Sequence, residues 1–383
     1  MRILFTAVAA HGHVLPLAPL IAAALEQGHA AALVTSAGLS DVVARELADG
    51  VEHLPAGPMP VELATEAARR SGEDIMAPSV DGIGETFGGV LLDLAADDAL
   101  AAARRWSPDL VVSELYCTVG PLVATALQLP LHEVRMTAPL PAPLAAAIAR
   151  AAEGPYARRG LRPRDPDTVL DLWPVELRDP AIATRPDPGH VLPVRATPHR
   201  RPRPEPRWSP PPSSSGRPRV LVTLGTIFSG ADMLTAVVDA VAGAPVDVVA
   251  TLGLALGDAA AVDRDRTGAG GGTVTVVGFV PIDELLDDVD LVVGVGGAGT
   301  VLAALGRAIP LVLWPRGADH PTIAAGVAMA GAGVVVDDLA AVGPAVARVL
   351  DDPAIRAGAR SVAESIARAP GPAEAVRVLT GRG

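Results

Sequence analysis

Short apolar runs alternate with stretches in which apolar residues recur every three or four positions, almost from end to end of the chain. Arg2–Val8 reads as a buried parallel strand leading into a loop, Ala9–His13. Leu17, Leu20, Ile21, Ala24 and Leu25 then share one helical face, and Gly28 closes that helix. Ala30–Val34 predicts a second strand, Leu39–Ala48 a helix and Val51–Leu54 a third strand. From Pro55 to Gly89 the pattern loosens, which predicts a loop-rich region with short helical pieces over a cleft. Alternation resumes with a helix over Val90–Arg105, a strand over Leu110–Ser113, a helix over Gly120–Leu127 and a strand over Leu131–Val134. Pro139–Ala152 predicts a small amphipathic helix and Tyr156–Asp179 irregular chain.

Proline and arginine then crowd Arg185–Arg219, the composition of an extended connector, because proline suppresses both helix and sheet. Beyond it the alternation restarts. Val220–Leu224, Val246–Ala250, Val274–Val277, Leu291–Val293, Leu311–Trp314 and Gly333–Val336 predict strands. Asp232–Val241, Ile282–Leu286, Ala340–Leu350 and Pro353–Ala367 predict helices. The pattern implies two doubly wound α/β domains with a cleft between the carboxyl ends of their strands. The expected division is a first domain over residues 1–195, a linker over 196–216, a second domain over 217–365 and a C-terminal helix, 366–383, that can pack back on the first domain.

Leu291–His320 carries the most specific local chemistry: strand, glycine loop, helix, strand. Glycines at the mouth of a helix let backbone N–H groups approach an anion, and the helix dipole places about half a positive charge there. The unit is suited to a phosphate. Gly294, Gly296 and Gly299 also spell G-x-G-x-x-G, the dinucleotide fingerprint. That fingerprint normally sits on the first strand of its domain, with an acid ending the next strand. Here several strands come first and the next one ends Trp314-Pro315-Arg316. An NAD(P)-dependent oxidoreductase and a ligand-free tight turn stay open as readings of these glycines alone.

Composition narrows the classes. The 383 residues are half hydrophobic, enough for two cores, and the net charge of −12 argues against nucleic acid and anionic membranes as partners. One cysteine, Cys117, excludes an intramolecular disulfide and fits a cytoplasmic protein. His11-Gly12-His13 interrupts the apolar N-terminus, so a signal peptide is not expected, and no run is long enough to span a bilayer. His11 with His13, and Asp288-Val289-Asp290, lack a third metal ligand at motif spacing; no metal is expected.

Five segments, in order, resemble the GT-B fold, family 1 glycosyltransferases: Ala10-His11-Gly12-His13-Val14-Leu15-Pro16, Val222-Thr223-Leu224-Gly225-Thr226, Phe279-Val280-Pro281, Gly296-Gly297-Ala298-Gly299-Thr300 and Pro315-Arg316-Gly317-Ala318-Asp319-His320. The chain is most similar to the actinomycete enzymes that glycosylate antibiotics, those of calicheamicin biosynthesis included. The resemblance implies an inverting transfer of a (deoxy)sugar from a dTDP- or UDP-sugar to a hydroxyl of a hydrophobic natural product, with no cofactor. It makes His13 the general base, a task its near-neutral pKa suits, steadied by Glu114 in Pro108-Asp109-Leu110-Val111-Val112-Ser113-Glu114. His11 is left structural. Phe279 is expected against the pyrimidine and Val280 at its edge. The diphosphate falls to Thr226, Gly296, Gly297, Ala298, Gly299 and Thr300, and the sugar hydroxyls to Asp319 and His320. The expected partners are the donor and a small acceptor, with a homodimer allowed for. Two positions depart from the family: Val295 stands where a phosphate-touching His is usual, and Ile323 where an Asn is usual. They motivate a second reading, a non-catalytic GT-B protein that binds a partner transferase or ligand.

Overall fold

The structure, a computed structural model, describes residues 1–75, 77–182, 186–202, 208, 216–225, 230–252 and 265–381. It divides into two units, each built on a seven-stranded sheet. The first comprises Met1–Leu172, Pro180–Arg203 and Pro370–Gly383, and the second Trp173–Asp179 and Pro204–Ala369. Within the predicted linker, residues 203–207 and 209–215 lie outside the described residues.

In the first unit β1 (Arg2–Thr6), β2 (Ala30–Thr35), β3 (Glu52–Pro55), β4 (Leu110–Glu114), β5 (Leu131–Arg135), β6 (Thr168–Asp171) and β7 (His190–Pro193) run in parallel, in the order β3-β2-β1-β4-β5-β6-β7. Helices cover both faces, which is why these strands read as near-continuous apolar runs. Ile3 and Phe5 pack with Leu20, Ile21 and Ala24 of the helix Ala18–Glu26. Leu4 faces the other layer, with Leu92, Ala96 and Leu122. The chain winds outward from β1 to β3 and then crosses to β4, so strand order reverses between β1 and β4. Their carboxyl ends border the crevice where doubly wound sheets bind ligands.

Three sequence expectations are corrected here. Pro55–Gly89 is mostly helical: Pro60–Ser71, then Val80–Gly84, then a π-helical turn over Glu85–Val90. The first of these helices starts where Glu62 accepts the Met59 N–H at 2.8 Å, an end signal that the surrounding Gly and Pro obscured. Tyr156–Asp179 is not irregular throughout, since it supplies β6. The Pro/Arg-rich stretch is not connector throughout, since it supplies β7. Both strands are four residues long, and β6 is fixed by partners far away in sequence: Arg135 Nη1 on β5 donates to Asp171 Oδ2 at 2.9 Å. Local pattern cannot show a pairing of that range.

The second unit repeats the plan with β8 (Arg219–Thr223), β9 (Asp247–Thr251), β10 (Asp265–Thr267), β11 (Thr273–Val277), β12 (Leu291–Gly294), β13 (Leu311–Leu313) and β14 (Gly333–Val335), in the order β10-β11-β9-β8-β12-β13-β14. Among the described residues only the β10–β11 pair is antiparallel. Val220, Val222, Val293 and Val312 of the sheet bury against Leu234, Val238 and Val346. Order reverses between β8 and β12. The helix Pro353–Arg368 closes this unit, and the helix Pro372–Leu379 belongs to the first. There Ala375 and Val376 join the core around Ala18–Glu26, Arg195 N donates to Pro370 O at 2.7 Å and Gln27 Nε2 to Ala373 O at 2.8 Å. Among the described residues no helix is long and apolar enough to cross a membrane.

His132 on β5 sets an acid limit on the first unit. It is 6% exposed and neither ring nitrogen has a partner among the described residues. Burial pushes its pKa down to about 4, with Asp167 pulling it up and Arg164 down by lesser amounts. Below its ordinary 6.5 the unfolded chain takes up a proton that the folded chain refuses until about pH 4. Stability from this site is therefore complete above pH 6.5 and lost through that window, by roughly 3 kcal/mol in all. His132→Leu is expected to shrink the fall in Tm between pH 7 and about pH 4.5; an undiminished fall would show that the imidazole does not titrate this way.

Candidate active site

Thr6 of β1 and Ser113 of β4 sit opposite each other in the sheet, so the segments that leave these strands emerge side by side. After β1 the chain does not run as an open loop. Ala10 takes an extended conformation and its carbonyl accepts the N–H groups of His13 and Val14, both at 3.0 Å, which starts a short helix, His11–Val14. His13 is thus held on a helical turn, a correction to the loop expected over Ala9–His13. Glu114, the last residue of β4, points to the same place: His13 Nδ1 and Glu114 Oε1 lie 3.1 Å apart. The carboxylate is fully buried, its Oε1 accepting Val8 N at 3.1 Å and its Oε2 Tyr116 N at 2.8 Å. Two backbone N–H groups offset part of the cost of burying that charge, with the His13 ring beside it. The His13 side chain remains 23% exposed.

His11 stands apart from this pair. Burial draws its pKa below the ordinary histidine value, against the pull of Glu46 and with help from Arg45. Glu46 is itself bound to the chain leaving the first unit, by His199 Nε2 at 2.8 Å and Arg201 Nε at 3.0 Å. Burial would raise the Glu46 pKa, and these two partners outweigh it, holding the carboxyl at about 2.

Two aromatic residues that the sequence pattern did not single out complete this end of the sheet. The Tyr116 ring meets the His13 ring edge-on, centroids 5.7 Å apart at 72°, and Phe87 packs on Tyr116 at 5.0 Å and 47°. Tyr116 follows Glu114 by two residues, which is the only signal the sequence held for it. Phe87 had none, because its π-helical turn lies in the stretch expected to be loop.

In the second unit the sequence-predicted residues gather at the carboxyl ends of the parallel strands. Phe279 and Val280 are half-buried just past β11, before Pro281 opens the helix Ile282–Leu285. Past β12, Gly296 has φ +99°, a conformation open to glycine, and Gly297 caps the helix Ala298–Leu305. A Cβ added to Gly297 or Gly299 would meet nothing within 4 Å, so the backbone there borders open space. Past β13, Asp319 begins the helix His320–Met329. A Cβ on Gly296 would come within 3.3 Å of the His320 carbonyl, so the glycine loop and the Asp319-His320 corner are in contact. Burial lowers the His320 pKa, with Asp319 opposing. Thr226 lies outside the described residues.

The two departures from the family pattern are core residues. Val295 is 2% exposed among Val220, Val222 and Val293, and Ile323 is wholly buried. Asp290 of the D-x-D sequence is a brace: its Oδ2 accepts Arg219 N at 2.8 Å and its own N–H donates to Arg219 O at 2.9 Å, tying β12 to β8. The dinucleotide reading fails on topology. The fingerprint would belong on β8, the strand from which this sheet is wound, and the glycines follow β12.

Two doubly wound units, each with a reversal of strand order, are the architecture of the GT-B class. Residues 237–381 match the family described as erythromycin biosynthesis protein CIII-like, C-terminal domain. The chain is 30% identical to the L-demethylnoviosyl transferase of Streptomyces niveus, an alignment covering 97% of this chain and 96% of that one. Among solved structures it is similar to the glycosyltransferase SnogD from Streptomyces nogalater (30% identity, TM-score 0.79, 100% and 99% of the two chains). It is also similar to the glycosyltransferase SsfS6 of Streptomyces sp. SF2575 in its complex with thymidine diphosphate (27% identity, TM-score 0.78, 100% and 99%). The chain belongs to the family 1 GT-B glycosyltransferases of actinomycete antibiotic pathways, and it is a glycosyltransferase.

Proposed function

We propose that the protein is an inverting glycosyltransferase that moves a (deoxy)sugar from a dTDP- or UDP-sugar to a hydroxyl of a hydrophobic natural-product aglycone. The observation that carries the reading is the His13–Glu114 pair at 3.1 Å, at the β1–β4 reversal of strand order. A carboxylate at Nδ1 fixes the tautomer that leaves Nε2 as proton acceptor and stabilises the imidazolium once it forms. A hydroxyl deprotonated at Nε2 as it attacks the anomeric carbon displaces the nucleoside diphosphate in one step. Glu114 is not the nucleophile of a double displacement, because its side chain is fully buried and both oxygens are engaged.

The donor end is read from the second unit. β11 and β12 are three steps apart across the sheet, roughly 14 Å at ordinary strand spacing. That separation suits a pyrimidine at Phe279-Val280 with its diphosphate at Gly296–Thr300, where backbone N–H groups and the helix dipole receive the negative charge. Asp319 and His320, beside the glycine loop, then meet the sugar. SsfS6, a glycosyltransferase with thymidine diphosphate bound, supports a pyrimidine diphosphate as the donor's leaving group here. Val295 and Ile323 shift the work of phosphate binding onto the backbone without removing the site.

dTDP or UDP is expected to raise the Tm, by the equivalent of roughly 2–3 kcal/mol at a hundredfold excess over Kd, since it binds the folded form alone. NAD(P)H should leave it unchanged. Stabilisation by NAD(P)H and by neither pyrimidine nucleotide would overturn the reading.

A further inference from the structure

The chain has four phenylalanines and two tyrosines, yet a tyrosine meets the proposed base and a phenylalanine packs on that tyrosine. Several features hold the pair there. Tyr116 N donates to the buried Glu114 carboxylate, which ties the tyrosine to the residue that orients His13. Phe87 sits on the π-helical turn Glu85–Val90, a rare form of helix that is frequent at functional sites. Thr118 Oγ1 donates to the Phe87 carbonyl. Gly84 and Gly88 press that segment onto the helix Ala142–Ala157, whose Ala147 and Ile148 backbone a Cβ at either position would strike. Both residues pack on the edge of the core around Val90 and Val119 and are partly, not wholly, buried.

We propose that Phe87 and Tyr116 are specificity-determining residues: the aromatic wall against which a planar, hydroxylated aromatic acceptor stacks with its hydroxyl at His13. The inference rests on the glycosyltransfer mechanism proposed above and names the acceptor class. Two rings at 5.0 Å and 47° offer a face and an edge, and a flat π-system matches both. A puckered saturated ring gains only the burial of its surface. The wall therefore discriminates by flatness as well as by hydrophobicity.

The test is equilibrium binding by calorimetry with saturating dTDP, so that turnover plays no part. The probes are a hydroxyanthraquinone and cyclododecanol, a planar and a puckered alcohol. The unmutated protein is expected to bind the hydroxyanthraquinone about tenfold more tightly, the upper end of what aromatic stacking adds to burial. Phe87→Leu and Tyr116→Leu, which keep apolar bulk and remove the ring, should each bring that ratio down about three- to tenfold while cyclododecanol affinity moves less than about twofold. Phe87→Tyr should keep the ratio. Thermal unfolding and far-UV circular dichroism of each variant, run beside the titrations, report that the unit carrying Phe87 and Tyr116 is folded. A preference for cyclododecanol, no binding of either alcohol, a ratio unmoved by both leucine variants or a ratio lost in Phe87→Tyr would each overturn the inference. Turnover with dTDP-sugar but no preference for flatness would sink this inference and leave the transferase mechanism standing.

Discussion

His13→Ala lowers turnover by roughly 10²–10⁴-fold on an ordinary alcohol acceptor, the usual worth of a positioned general base. The acceptor must be an ordinary alcohol because a strongly acidic hydroxyl ionises without help and would mask the loss. dTDP affinity stays where it was, since the donor loops belong to the sheet of the other unit. Glu114→Gln lowers turnover in the same direction but less far. It removes the charge that stabilises the imidazolium, and it sets an amide N–H against one of the two backbone N–H groups that the carboxylate now accepts. The double variant costs less than the two single losses combined, because the pair acts as one unit. Steady-state kinetics with dTDP titrated in parallel decide the matter. Full turnover of His13→Ala would take the imidazole out of the mechanism.

The largest effect on stability is expected at Arg135. Its guanidinium is 4% exposed between Asp171, 2% exposed, and Asp187. Arg135→Leu keeps the bulk and leaves the Asp171 carboxylate buried without its cation, a loss of about 3–5 kcal/mol, or on the order of 10 °C in Tm. Adding Asp171→Leu should recover most of that loss, because a well-packed apolar pair is about as stable as a buried ion pair. Thermal unfolding of the three variants reads both steps. A double variant no more stable than Arg135→Leu would mean that the site works through more than this one pair.

Such pairs mark where the sequence stopped being legible. The central strands of both sheets could be read because each is a run of β-branched and aliphatic residues closed by turn chemistry, as in Leu291–Gly294. β6 and β7 could not, since they become strands only by pairing in turn, β6 along β5 and β7 along β6, and their anchor, Asp171, looks like a solvated acid in a linear reading. The glycine loop was legible because its chemistry is in the backbone, and glycine spacing records that directly. The His13–Glu114 distance was not, since it depends on β1 lying beside β4 across more than a hundred residues. Phe87 was hidden most deeply. Its π-helical turn lies where Gly84 and Gly88 come close to another helix, and isolated glycines in a sequence read as loop.

The central claim, a single displacement assisted by His13, fixes the stereochemistry of the product. An acceptor oxygen that attacks as the diphosphate leaves must enter from the opposite face, so the anomeric configuration inverts. Proton NMR of the first-formed product, from a dTDP-sugar of known anomeric configuration, reads that outcome from the anomeric coupling constant. The account predicts a glycoside of the configuration opposite to the donor. A product that retains the donor's configuration would require a double displacement or attack from the face the diphosphate leaves, and would contradict it.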